Sequence, residues 1–148
     1  MLKIPSASKT QKICNHTSVG VVLFDSQGKL LLIDRKIFPL YFACPAGHLK
    51  DQESPDSGAI REAQEEVGLT ISNLKLLLNE RFENPCSRQG GTWHNWWIYR
   101  ADFSGELKPS GRETKQAGWY SPSEIEAIRK EGKLEPVWEQ ILGKLKII

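Results

Sequence analysis

The chain is expected to adopt an α/β fold, a mixed β-sheet covered by helices on both faces. Two observations predict it. Apolar runs of strand length at residues 17–24, 74–82 and 92–101 alternate with segments that carry helix start signals, Ser54-Pro55 and Ser121-Pro122. The length of 148 residues, with 39% hydrophobic and 26% charged residues, suits one soluble domain, residues 1–148, that buries a core without covalent staples.

Residues 1–15 are polar and lysine-bearing, a short edge strand or a loose arm. Ser-Val-Gly-Val-Val-Leu-Phe, residues 18–24, reads as a buried strand. Asp25-Ser26-Gln27-Gly28 then supplies a turn, and residues 29–33 form the return strand of a hairpin. The run 38–44 is apolar and aromatic, broken by Pro39 and closed by Pro45, so its second half makes a short strand. Residues 47–53 form a polar loop. A helix follows, with Ser54 as N-cap, Pro55 at the first helical position, Asp56 in the first turn and Gly68 as a left-handed stop. Ile60, Ala63 and Val67 recur at helical spacing and are expected to face the core. Residues 74–82 and 92–101 are longer strands, and residues 117–120 a short one. Ser121-Pro122-Ser123-Glu124 is a capping box that starts a helix running to about Lys130. A last helix, residues 135–144, carries Val137, Ile141 and Leu145 on its apolar stripe.

Several function classes are excluded early. A net charge of +2 offers no broad electrostatic surface for nucleic acid or an anionic membrane. No apolar run approaches a membrane span, and the segment beginning Met1-Leu2-Lys3 is unlike a signal peptide, so the expected compartment is the cytoplasm. Cys14, Cys44 and Cys86 are odd in number, widely spaced and without a C-x-x-C. They indicate neither a zinc site nor a disulfide framework, and His16, His48 and His94 are read as too scattered for a metal cluster.

The chemistry concentrates in residues 47–69, which hold four glutamates and one arginine between framing glycines. Glu62, Glu65 and Glu66 stand at i, i+3 and i+4, so on a helix their carboxylates share a face. Like charges so close need a cation, and hard oxygen donors suit Mg²⁺ or Mn²⁺. This stretch resembles the Nudix box, G-x₅-E-x₇-R-E-U-x-E-E-x-G-U with U a bulky or aliphatic residue. Gly47, Glu53, Arg61, Glu62, Ala63, Glu65, Glu66, Gly68 and Leu69 fill its constrained positions, Ala63 being the softest match. Seven fixed identities make a chance match roughly a one-in-a-million event at average residue usage.

The resemblance implies an α/β/α sandwich and a Mg²⁺- or Mn²⁺-dependent pyrophosphohydrolase. Its substrate would be a nucleoside diphosphate linked to another moiety: a nucleoside triphosphate, ADP-ribose, nucleotide sugar or dinucleotide. It implies that Glu65 and Glu66 bind metal, that Glu62 binds metal or orients the attacking water, and that a backbone carbonyl at Ala46 or Gly47 completes the metal shell. A side chain at Gly47 would obstruct that approach. Arg61 and Glu53 are expected to pair and hold the loop against the helix. Glu113, six residues before Trp119, is similar in position to a further acidic ligand, with Glu80 and Glu83 as rivals.

For substrate contacts, His48 follows the box glycine and is a candidate for phosphate. Trp93, Asn95, Trp97 and Tyr99 alternate along one strand face, opposite His94, Trp96 and Ile98. Trp93 and Trp97 are the candidates for stacking a base, although which face meets the cleft is not legible. Pro85 has the spacing seen in members that cleave ADP-ribose. Leu134-Glu135-Pro136 resembles the tail of members that clear oxidised guanine nucleotides, where an asparagine stands in place of Leu134; an apolar residue there counts against that specificity.

Two other readings follow from the same residues: an isopentenyl-diphosphate isomerase-like enzyme using Cys44, and a non-catalytic nucleotide-binding module. The expected partner is a nucleotide-type small molecule, with no stable nucleic-acid complex and no membrane. The chain is expected to be a monomer or a homodimer.

Overall fold

The computed structural model describes residues 12–148. The edge-strand or loose-arm reading of the first fifteen residues therefore falls largely outside the described residues. Of that segment, Ile13 forms a parallel bridge with Gln89. Cys14 N donates to Gln89 O at 2.8 Å, and Gln89 N donates to Lys12 O at 2.9 Å.

Strands β1 (Thr17–Val22), β4 (Ala46–His48), β5 (Thr70–Glu83) and β6 (Trp93–Ser104) make one sheet in the order β4-β1-β6-β5. Strands β2 (Leu30–Arg35), β3 (Tyr41–Ala43) and β7 (Thr114–Tyr120) make a second, in the order β3-β2-β7. The first sheet is mixed, because β1 runs parallel to β6 while its other pairings are antiparallel.

The expected hairpin closes only at its tip. Asp25 N donates to Lys29 O, Asp25 Oδ1 accepts from Gln27 N and Lys29 N, and Phe24 bridges Leu30. Beyond the tip the chains diverge into different sheets, because β4 and β6 already occupy both edges of β1. The stretch expected as loop at residues 47–53 likewise begins inside β4, where Gly47 pairs with Val19 and His48 with Ser18. That pairing fixes the start of the acidic segment to a central strand.

Helix α1 (Pro55–Val67) starts at Ser54, whose side chain accepts from Ser57 N. It ends at Gly68, in the left-handed region at φ 72°, with Gly68 N donating to Gln64 O and Leu69 N to Ala63 O. Two of the three residues expected to face the core, Ala63 and Val67, do so, and the third does not. Ile60 is 42% exposed, while Ala59, Ala63 and Val67 face the core. The small side chains of Ala59 and Ala63 let the helix lie close to the sheet, which carries Glu66 inward with them. Helices α2 (Pro122–Lys130) and α3 (Pro136–Lys144) start at Ser121 and Glu135.

Two apolar clusters result. One, under α1, joins Val19, Val21, Leu31 and Ile33 to Ala59, Ala63, Val67 and Tyr99. The other, under α2 and α3, joins Val22, Leu30, Leu32, Trp96 and Ile98 to Ile125, Val137, Trp138 and Ile141. The strand layers are thus covered on both sides by helices, as the interleaving of elements predicts.

Candidate active site

The acidic residues are organised by one guanidinium. Arg61 gives Nε to Glu53 Oε2 and Nη2 to Glu53 Oε1, each at 2.8 Å, a planar two-pronged pair. Its Nη1 reaches Glu62 Oε1 at 2.8 Å and Glu65 Oε2 at 3.3 Å, and Nη2 also donates to His48 O at 3.0 Å. Arg61 therefore ties the loop, the helix and β4 together. Its hydrogen bonds hold the Glu53 carboxyl down to about 2, with Lys50 N adding a backbone bond.

Glu66 is only 2% exposed. Its Oε1 accepts from Ala46 N at 3.2 Å, while the buried Oε2 has no partner among the described residues. Burial, and then the neighbouring Glu62, push its carboxyl well above the ordinary range. Glu62 is raised too, chiefly by burial. A Cβ on Gly47 would lie 2.2 Å from Glu62 Oε1. The Glu62 carboxylate packs against the Gly47 Cα and would have to move to admit a side chain, a reason for glycine that stands beside the metal approach expected from sequence. A buried carboxylate with an empty oxygen, a second carboxylate beside it and a glycine opened to admit it fit a hard divalent cation.

A cleft opens from this point. Arg35, Gly47, His48, Asn84, Trp96 and Glu135 are among its lining residues. The register between β2 and β7 slips between Asp34 and Arg35, a bulge at the strand end from which Arg35 lines the cleft. Burial, opposed by Arg35, raises the Glu135 carboxyl to about 7. Burial, then Arg88, His94, Arg35 and His16, lowers His48 to about 4.

The other expected site residues divide. Glu65 lies on the exposed side of Arg61. Glu113 sits in the turn before β7, with its carbonyl accepting from Lys36 N. Ser110 N, in the same loop, donates to Glu66 O, which moors that loop to the end of α1. Its rivals are engaged elsewhere, Glu80 with Lys144 and Glu83 with Arg81.

Trp96 and His94 line the cleft, whereas Trp93 and Trp97 lie on the opposite face of β6. Trp93 is sandwiched between His16, stacked at 3.9 Å, and the Arg81 guanidinium at 4.1 Å. Trp97 packs against the cluster under α1. Leu134 is buried in the other cluster. Cys44 is fully buried and its thiol is pushed well up, first by burial and then by Glu135, which leaves it no path to a substrate.

Arg35 and Glu135 were missed in the sequence, because nothing local marks a strand end or an N-cap as a cleft wall. The reading of the cysteines and histidines as scattered is overturned: the ligating atoms of Cys14, His48, Cys86 and His94 all lie within 4.8 Å of one another. Their separations in the chain hid this, because pairing of distant strands and loops brings them together.

Comparison with known proteins gives the family and the fold. The family model described as NUDIX domain matches residues 15–140. The chain is 31% identical over 132 residues to the 8-oxo-dGTP diphosphatase of Escherichia coli (strain K12), covering 86% of this chain and 95% of that one. It is 26% identical over 145 residues to Nudix hydrolase 25 of Arabidopsis thaliana, covering 84% and 82%. A solved NUDIX hydrolase from Nitrosomonas europaea superposes with a TM-score of 0.70 at 22% identity, over 89% and 88% of the two chains.

Proposed function

The chain belongs to the NUDIX family, whose members are hydrolases of phosphoric anhydride bonds, and from that premise we propose that it cleaves the diphosphate of a nucleoside diphosphate linked to a second moiety, with a divalent cation as cofactor. The observation that carries the reading is the buried Glu66 carboxylate, with one oxygen unpartnered among the described residues, beside Glu62 and against Ala46 and Gly47, which line the cleft.

Glu62, Glu65, Glu66 and a backbone carbonyl at Ala46 or Gly47 would hold Mg²⁺ or Mn²⁺, with Glu113 as a further oxygen donor from the loop moored to α1. When bound, the cation neutralises phosphate oxygens and lowers the pKa of water. Arg61 keeps Glu62 and Glu65 aimed from one side, and Glu53 keeps Arg61 from turning away. Arg35 supplies a fixed positive charge in the cleft for a phosphate oxygen. Trp96, on the cleft wall, offers an indole edge to the leaving group, with its Nε1 engaged by Asn84 Oδ1 at 3.1 Å. Leu134 presents no polar atom for base discrimination, which favours a substrate recognised through its diphosphate over an oxidised guanine nucleotide.

The test is a set of nucleoside triphosphates, nucleotide sugars, dinucleotides and ADP-ribose incubated with Mg²⁺ or Mn²⁺ and scored by product mass. Glu66→Gln is expected to reduce turnover about a thousandfold or more with the fold intact. Undiminished turnover in that variant, or turnover that persists in EDTA, overturns the proposal.

A further inference from the structure

We propose that Cys14, His48, Cys86 and His94 form a second metal site, distinct from the acidic one, that takes a single Zn²⁺ in a closed tetrahedral shell. The four come from four parts of the chain: the segment before β1, the end of β4, the β5–β6 loop and the start of β6. Cys14 Sγ lies 3.3 Å from His94 Nε2, 3.6 Å from His48 Nε2 and 3.9 Å from Cys86 Sγ. The two Nε2 atoms are 3.3 Å apart. Ordinary Zn–S and Zn–N bond lengths in a regular tetrahedron give edges of about 3.8 Å for S–S, about 3.6 Å for S–N and about 3.3 Å for N–N. Of the six edges, the S–S, the N–N and one S–N separation match these lengths, and the Cys14–His94 edge is shorter at 3.3 Å. The remaining two, from Cys86 to the imidazoles, stay within 4.8 Å, and Cys86 is the less buried of the two sulfurs.

Hydrogen bonding fixes the tautomer of one of the two imidazoles. Trp96 Nε1 donates to Asn84 Oδ1, so the atom that faces His94 Nδ1 at 3.0 Å is an acceptor and His94 carries its proton on Nδ1. The Nε2 lone pair of neutral His94 therefore points at Cys14 and His48. Orientation of a ligating imidazole through its far nitrogen is a recurrent feature of metal sites. Four polar atoms crowd Cys14 Sγ, which has one proton to share: the backbone His16 N at 3.3 Å, both imidazoles and Cys86. A cation satisfies the lone pairs of the two sulfurs and the two imidazoles together.

A backbone N–H is aimed at each sulfur. His16 N donates to Cys14 Sγ and Arg88 N to Cys86 Sγ, each at 3.3 Å and each from the second residue after the cysteine. Gly91 gives Cys86 its space, since a Cβ there would lie 2.1 Å from the sulfur. Two thiolates and two neutral imidazoles balance one divalent charge and select zinc over the hard ions that the carboxylates suit. With all four positions filled by the protein, the ion is structural. It pins the segment before β1 and the β5–β6 loop against the sheet, and it commits His48 to metal in place of substrate phosphate.

The full chain, purified with no histidine tag after growth in zinc-supplemented medium, is expected to hold one equivalent of zinc by elemental analysis. Replacement by Co²⁺ is expected to give intense tetrahedral d–d absorption and sulfur-to-cobalt charge transfer. Cys14→Ser and Cys86→Ser are each expected to weaken zinc affinity about tenfold or more, whereas Glu66→Gln retains the full equivalent, which separates this site from the acidic one. A wild-type chain that takes up no zinc with its thiols reduced overturns the proposal, and so does a Cys14–Cys86 disulfide in place of bound metal. The wild-type metal content and cobalt spectrum decide the matter even where a cysteine variant fails to fold.

Discussion

Glu53 and Glu66 both belong to the acidic motif, and their surroundings set them apart. Glu53 is held ionised by two bonds from Arg61, so its charge is spent on positioning. Glu66 has an unpartnered oxygen and a carboxyl that burial keeps ready to take up a proton or a cation. Glu53→Gln is therefore expected to lower kcat by about 10- to 100-fold, well short of Glu66→Gln, because a supporting partner is lost rather than a ligand. Parallel kcat measurements across a Mg²⁺ titration check this, and equal losses would contradict it. Glu135 carries a different prediction. Burial raises its carboxyl to about 7, above the ordinary 4.5, although Arg35 pulls the other way. The folded chain then holds a proton that the unfolded chain releases. The associated stability is present below about pH 4.5 and is lost as the pH rises to about 7. Glu135→Gln is expected to flatten that slope, by up to about 3 kcal/mol across the window, in urea midpoints measured from pH 4.5 to 8.

At the level of elements, the signals for helix starts were local and were legible. Ser121 Oγ accepts from Glu124 N, and Glu124 Oε1 accepts from Ser121 N, both halves of the expected capping box. Ser121→Ala is expected to destabilise the protein by about 1 kcal/mol in urea denaturation, with no change in the metal requirement. The orientation of α1 was legible at Ala63 and Val67 but not at Ile60. Ile60 and Ala59 are adjacent, and the hydrophobic pattern favours the larger. The sheet accepts the smaller because it brings the helix axis close. That close approach matters chemically, since Glu66, beside Ala63 and Val67, is buried while Glu65 stays outside. Strand starts were less legible than helix starts. Gly47 and His48 were expected in a polar loop, yet they pair as part of β4 because β1 offers a free edge there.

Across the whole molecule, the distinction is between what neighbours in sequence encode and what pairing assembles. The α/β class, the capped helices and the acidic motif follow from residues within a few positions of one another, where period, capping and charge spacing act directly. Among the described residues no helix is long and apolar enough to cross a membrane. The cleft wall of Arg35, Trp96 and Glu135 joins three distant segments. So does the cysteine and histidine cluster, whose members are separated by 34, 46 and 80 positions. The face of β6 that meets the cleft was equally undetermined, since aromatic residues alternate on both sides and only the placement of α1 and α3 decides between them. The sequence by itself determined which chemistry the acidic loop and helix carry, because that chemistry depends on local spacing. Only the tertiary structure decided what surrounds it, because strand order and helix docking, which no short window of residues encodes, bring the remaining groups within reach.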